Sequence, residues 1–414
     1  MRPSVNKKSH VLILGSGFAA WQLVQKLDRH AYRVTVVSPR KHFLFTPLLT
    51  QVATGAVASR NVLEPLRGQK NAPAFLHAIC EEIHPDRKSV LCRSPFDQTQ
   101  FSVDYDKLVV AVGAQNRTFD IPGVRKHAHF LKEVQDADSI RSRLLDCLER
   151  ASLPETSEAD RRRLLQWVVV GGGPTGAECA ADLEDLKRDM HKVYPEVSEQ
   201  IKVTLLEATE DILPAFDKAL REYAERHFRR EEIEVRTNVS ASEVRENEII
   251  LTSGDRIPCG LVVWSTGIEP RPLIRNVDLP KEDRGFLLTN AYCGVEEYEG
   301  VYALGDTAVI RENPLPATAQ VAQQQGTYLA SQLNRLSKGK SINPFQFKSK
   351  GMLAKIGGGH ALGELPTGHV KGRAAWWLWR SVYLTKLVGW ANKVRLFLDW
   401  LPTGHGGHSP NRFS

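Results

Sequence analysis

The feature that most constrains the fold is the stretch 168–178, Val-Val-Val-Gly-Gly-Gly-Pro-Thr-Gly-Ala-Glu. Three β-branched residues predict a short buried strand, and Gly171, Gly173 and Gly176 then fall in G-x-G-x-x-G spacing at the start of a helix. The first glycine allows a tight turn, the second lets backbone N–H groups approach a pyrophosphate, and the third lets helix and strand pack closely. Leu183, Leu186 and Met190 continue at helical spacing, and a second strand, 201–206, runs into Glu207. A carboxylate there accepts a bond from a ribose 2′-hydroxyl and repels a 2′-phosphate, so the turn reads as a site for NADH rather than NADPH.

The arrangement occurs twice. A strand at 11–14 leads into Gly15, Gly17 and Ala20 in G-x-G-x-x-A spacing, followed by an apolar-periodic helix through Leu27. Its second strand, 33–37, ends at Ser38-Pro39-Arg40, where an acid usually meets ribose; Ser38 offers one hydrogen bond instead. Two such turns suggest two dinucleotides, one resident and one exchanging, with FAD held non-covalently and NADH as substrate the economical pair. The run 301–307, Val-Tyr-Ala-Leu-Gly-Asp-Thr, resembles the late flavin motif of two-dinucleotide flavoproteins. There Gly305 and Asp306 would face the flavin's ribitol or pyrophosphate, the alternative being that Asp306 caps a helix. The strands 108–114 and 261–267 end in small residues, Gly113 and Gly267 among them, at the exits of the two nucleotide units.

The expected architecture is therefore α/β, with two Rossmann-like dinucleotide-binding domains. Residues 1–115 and 285–345 form the FAD domain, 116–284 the NADH domain, and 346–414 a C-terminal amphipathic helical region. Six cysteines include no C-x-x-C pair and no zinc spacing, which predicts reduced, mostly buried thiols and no metal. His360, His369, His405 and His408 also lack ligand spacing. The first ten residues leave no room for a signal peptide before the first strand, and no run of about 18 apolar residues occurs, so neither leader nor membrane-spanning helix is expected.

The electron acceptor is addressed first by an absence. Disulfide reductases with two dinucleotide turns carry a redox-active cysteine pair shortly after the first one, but residues 41–55 contain no cysteine. Further on, Gln320 and Gln324 lie four apart in a helix expected to begin near Pro316. Neutral amides suit an uncharged quinone, since they donate to its carbonyls without burying an ion, although a solvated glutamine face explains the segment equally well.

Five of the eight tryptophans (Trp376, Trp377, Trp379, Trp390 and Trp400) fall near the C-terminus. Trp376, Trp379, Tyr383, Leu387, Trp390, Val394, Phe397 and Leu401 recur at steps of three and four, with a break expected at Gly389. Between 371 and 400, six basic residues face one acid, Asp399, which locates much of the net charge of +7. Aromatics with flanking cations predict a helix lying on an anionic membrane surface through residues 371–401, each cation adding about 1 kcal/mol. A homodimer contact is compatible with this; a nucleic-acid contact would not need so apolar a face.

Taken together, these segments resemble the type II NADH:quinone oxidoreductases, or alternative NADH dehydrogenases. The likeness runs through 15–20, Phe45-Thr46-Pro47-Leu48-Leu49, 171–178, 305–306, 319–324 and Trp379-Arg380-Ser381-Val382-Tyr383-Leu384. It implies a single-subunit, non-pumping FAD enzyme peripheral to the reducing-side face of a respiratory membrane. By that resemblance Gln320 and Gln324 lie near flavin and quinone, and Glu178 near the nicotinamide. The tail after Gly404 departs from the acid many members carry, and no EF-hand pattern is present. Two other readings remain open: a sulfide:quinone oxidoreductase, which would need reactive cysteines and no second nucleotide turn, and a flavin-bound redox sensor resembling apoptosis-inducing factors.

Overall fold

The computed structural model describes residues 8–68 and 72–400. It divides into two compact units, one comprising residues 1–44, 64–115 and 268–349, the other 45–63, 116–267 and 350–414. These boundaries differ from the sequence expectation, which returns to the first unit at 285, sets 346–414 apart and leaves 45–63 in the first. The physical reason is packing within the second unit: Trp400 Nε1 donates to Gln51 Oε1 at 3.1 Å, and Asn61 Nδ2 to Asp399 at 2.7 Å. Neither pairing has a local sequence signal.

The first unit is built on a parallel sheet in the order Val301–Ala303, Lys107–Val110, Ser9–Leu14, Tyr32–Ser38, Ala74–His77. Val11, Leu12, Ile13 and Leu14 are all fully buried, as a strand covered on both faces requires, each worth about 1.5–3 kcal/mol of transfer free energy. The strand order reverses at Ser9–Leu14, and sheets of this kind bind ligands beyond the carboxyl end of the strand where it does. The helix Phe18–Lys26 packs on the helix Ala319–Leu336. Gly326 permits that approach, since a Cβ there would come within 2.2 Å of the Ala19 carbonyl oxygen. An antiparallel sheet of Ile79–His84, Ser89–Arg93 and Gln100–Asp104 completes the frame.

The second unit repeats the logic with the order His129–Phe130, Leu261–Trp264, Gln166–Val170, Lys202–Leu206, Glu234–Arg236, all parallel. The reversal falls at Gln166–Val170, whose carboxyl end is Gly171. The helix Pro174–Met190 follows with proline in its first turn, where no donor is lost. Of this unit's two three-stranded antiparallel sheets, the one formed by Met352–Gly357, His360–Leu365 and Gly368–Gly372 lies against that helix.

The C-terminal aromatic stripe becomes two helices, Arg373–Lys386 and Trp390–Asp399, separated as expected at Gly389, whose φ is +81°. The stripe does not form one face. Trp379 and Leu387 are buried, whereas Trp390 is 81% exposed and Phe397 51%. Leu401 and the glycine-histidine tail lie outside the described residues. Among the described residues no helix is long and apolar enough to cross a membrane. All six cysteines are free and five are buried.

Candidate functional site

At the first turn, Gly15 has φ +108°, and a Cβ on it would lie 2.2 Å from the Ala111 oxygen, so only glycine fits. Gly17 is the N-cap of Phe18–Lys26; no side chain caps this helix and no acid lies in its first turn. Among the described residues, added Cβ atoms on Gly17 and Gly113 would meet open space apart from the Arg40 guanidinium, 3.9 Å from the Gly17 position. A helix N-terminus without a side-chain cap, its positive polarity and room for a close approach fit this turn to cradle a pyrophosphate. Ser38 is buried and its hydroxyl is committed within the turn, donating to Ser16 Oγ at 3.1 Å and accepting from Arg40 N at 3.1 Å. Arg40 Nε in turn donates to Ser16 Oγ at 3.3 Å. Where related turns place an acid, this one carries a cation beside the phosphate cradle.

The Gly-Asp segment belongs to the same neighbourhood. Gly113 N donates to Thr307 Oγ1 at 2.8 Å, and the space at Gly305 is bounded by Ala19 and Ala322. Gly305 and Asp306 line a cavity of about 240 Å³, together with Val321, Gln325 and the apolar side chains of Ile310 and Leu315. Gln325 is buried and its Oε1 accepts from Gly305 N at 2.6 Å. Gln320 and Gln324 are half-buried on the same helix, which begins at Ala319 behind a Thr318 cap. Gln324 pairs with the backbone of Lys348, donating to its oxygen at 2.9 Å and accepting from its nitrogen at 3.1 Å. Gln325→Leu would strand the Gly305 N–H, and we expect it to cost about 1–3 kcal/mol and to lower flavin retention, read as the flavin-to-protein absorbance ratio after dialysis.

The second turn is built the same way. Gly171 has φ +109°, and a Cβ there would press on Ser265 and Thr266, two residues before Gly267. Gly176 must lack a side chain because its Cβ would fall 1.8 Å from the Gly171 oxygen, the close helix–strand contact expected of the third glycine. Gly173 caps the helix without a side-chain bond, and a Cβ there would meet nothing within 4 Å. Glu207 is held by the turn: Oε2 accepts from Gly172 N at 2.6 Å, and Oε1 from Thr209 N at 2.7 Å. These residues fit an NADH pyrophosphate and ribose as the first set fits FAD.

Glu178 lies in the second unit, in the same helix as Gly176, and is buried. Burial pushes its carboxyl up to about 8; bonds from Lys355 N at 3.0 Å and Trp379 Nε1 at 3.3 Å oppose this, and the nearby Asp182 adds to it. Lys355 is itself buried, which would lower its ammonium, but pairing with Asp182 and with Asp185 at 2.7 Å holds it above the ordinary range. Tyr383 packs against Trp379 with ring centroids 4.4 Å apart and the rings tilted by 31°.

Sequence reasoning did not single out Arg40, Thr307, Gln325, Lys355 or the contact of Trp379 with Glu178. Gln325 was visible as the last of the glutamine run and one step from the apolar Val321 face, which is the side that packs inward. Lys355 has no local signal.

The chain matches known proteins over almost its whole length. Residues 9–326 match the pyridine nucleotide-disulphide oxidoreductase family and residues 349–407 the NDH2 C-terminal domain. A probable NADH dehydrogenase of Dictyostelium discoideum is 40% identical over 97% of this chain and 91% of its own. The internal alternative NAD(P)H-ubiquinone oxidoreductase A1 of Solanum tuberosum is 38% identical over 96% of this chain and 87% of its own. The structure of NDH2 from Plasmodium falciparum in complex with NADH superposes with a TM-score of 0.92 at 26% identity, covering 97% of this chain and 99% of that one. A sulfide:quinone oxidoreductase of Aquifex aeolicus, at 17% identity and a TM-score of 0.74, shares the fold. On its sequence, its fold and its C-terminal domain, the chain belongs to the pyridine nucleotide-disulphide oxidoreductases and, among them, to the type II NADH:quinone oxidoreductase family.

Proposed function

We propose that this chain is a single-subunit, non-proton-pumping NADH:quinone oxidoreductase working on a respiratory membrane with FAD as its resident cofactor. The observation that carries the reading is the presence of two glycine turns with uncapped helix N-termini, of which only the second is followed by a carboxylate, Glu207. FAD bound at the first turn supplies what side chains cannot, acceptance of a hydride and later release of two electrons. Gly15, Gly17 and Ala20 hold its pyrophosphate, Arg40 adds positive charge there, and Gly113, Gly305 and Asp306 meet the rest. Gly171, Gly173 and Gly176 hold the pyrophosphate of NADH and Glu207 its ribose, while Gly267, with φ +65° and Phe119 packed where a Cβ would lie, shapes the strand exit beside the turn.

Reducing a quinone by two electrons also consumes two protons. Glu178, whose burial raises its carboxyl to about 8 and keeps it mostly protonated at neutral pH, is suited to hold one proton and pass it on. Gln320 and Gln324 are assigned to the quinone carbonyls; at Gln324 a carbonyl would displace the Lys348 backbone pair. Gln324→Leu is expected to slow quinone reduction more than reduction of the flavin by NADH. Equal slowing of both half-reactions in stopped-flow traces would remove that assignment.

The chain sits peripherally on the membrane through the exposed face of its last helices, where Trp390, Val394, Phe397 and Leu398 stand beside Lys393. Replacing Trp390 and Phe397 together with aspartate should release the protein from liposomes containing phosphatidylglycerol in a flotation assay; undiminished binding would place the contact elsewhere. The function itself is tested by following NADH oxidation by the purified yellow protein with a short-chain ubiquinone, with NADPH and sulfide as rival donors. Turnover with sulfide and none with NADH would overturn it.

A further inference from the structure

Away from the cofactor cradle, the first unit carries a recess of about 340 Å³ where the helices Phe18–Lys26 and Ala319–Leu336 both end. Four cations border it, Lys26, Arg335, Lys338 and Lys340, and none of its lining residues is acidic. Both helices present their negative ends here, and a single cation near each would offset that polarity. Four cations around one hollow exceed that need.

The recess is also preorganised. Lys26 Nζ donates to Thr327 Oγ1 at 3.0 Å, while Asn334 donates to the Lys26 oxygen at 2.9 Å and accepts from Asp28 N at 2.8 Å. Arg335 Nε donates to the Ser341 oxygen at 2.8 Å, which fixes the guanidinium while its terminal nitrogens have no partner among the described residues. Lys338 and Lys340 ride on a tight turn in which both backbone nitrogens donate to the Arg335 oxygen at 3.0 Å and Gly339 supplies φ +67°. Ser331 lies one helical turn from Thr327 on the same face, so two hydroxyls stand among the cations.

We propose that this recess binds a phosphate-bearing anion of about the size of a diphosphate. Several converging cations, one of them a guanidinium with free terminal N–H groups, suit the multiple oxygens and double charge of phosphate better than a single carboxylate. The volume accommodates one or two phosphate groups with their contacts. Two sources share this chemistry, a soluble nucleoside diphosphate and the headgroup of an acidic phospholipid. No residue of the recess belongs to the electron-transfer site, so the inference does not depend on which acceptor the enzyme uses.

The test uses the FAD-loaded protein with NAD⁺ saturating the second turn, so that both dinucleotide cradles are filled. Inorganic pyrophosphate is titrated calorimetrically, and binding to phosphatidylcholine vesicles with and without phosphatidic acid is measured by flotation. The triple variant Lys26→Gln, Lys338→Gln, Lys340→Gln and the single variant Ser331→Asp should each weaken pyrophosphate binding by about tenfold or more, with NADH-to-quinone turnover unchanged. If only pyrophosphate binding falls, the occupant is a soluble phosphate. If vesicle binding falls as well and pyrophosphate competes for it, the occupant is a lipid headgroup. Pyrophosphate and vesicle binding that are the same in the wild type and both variants, or absent throughout, would overturn the proposal.

Discussion

Glu178→Gln is expected to lower quinone-dependent turnover by about a hundredfold or more, the usual weight of a positioned proton donor. The loss should sit in the quinone half-reaction, and the remaining rate should lose its titration near pH 8. The same substitution has a stability signature with a definite sign. A carboxyl raised from 4.5 to about 8 by burial makes its full contribution below pH 4.5, where folded and unfolded chains are both protonated. That contribution is lost as pH rises through 8, because the unfolded chain ionises freely and the folded one resists. At about 1.4 kcal/mol per unit the loss reaches a few kcal/mol as an upper bound, since the neighbouring groups relax. Denaturant unfolding at pH 6 and pH 9 checks this: the wild type should weaken between the two pH values and the glutamine variant should weaken less. Equal weakening would mean that Glu178 is ionised throughout, and the proton-holding role would fail with it.

Lys355→Met should be the most destabilising single change, by about 3–5 kcal/mol, because it leaves the buried Asp182 carboxylate without its cation, while the half-buried Asp185 keeps Arg188 and the Gly358 N–H. Asp182 and Asp185 both pair with Lys355, and Asp182 is almost completely buried. Adding Asp182→Asn should recover part of the loss, and the coupling between the two changes measures the pair. The variant also speaks to the chemistry. The backbone bond from residue 355 to Glu178 survives, but the ammonium that favours the ionised carboxylate is gone, so the midpoint of the rate profile should move above that of the wild type. An unchanged midpoint with lowered stability would confine Lys355 to a structural role.

Much of this was legible in the chain because local physics dictates it. Gly15, Gly171 and Gly176 sit where a Cβ would strike backbone oxygens, and that constraint is written as spacing in the sequence. The break at Gly389 was readable because its φ of +81° is a conformation that favours glycine. What spacing does not encode is which distant segments meet. Lys355 reaches Glu178, Asp182 and Asp185 from a strand whose pairing is set by tertiary packing, and Gln51 meets Trp400 likewise. The C-terminal stripe shows the limit from the other side. Residues spaced for one amphipathic face divide at Gly389, so Trp379 turns inward to bond Glu178 while Trp390 remains exposed. Gln324 and Gln325 show how little the choice of face can be read from a glutamine run: the inward member bonds the Gly305 turn, and its neighbour clamps Lys348.

The most direct measurement of the central claim is the anaerobic flavin spectrum taken in two steps. The account predicts that NADH bleaches the yellow absorbance of the purified protein and that a short-chain ubiquinone, added afterwards, restores it at a rate sufficient for steady-state turnover. Bleaching by NADH with no recovery on adding quinone would contradict it, and would leave a flavoprotein that senses NADH without passing its electrons on.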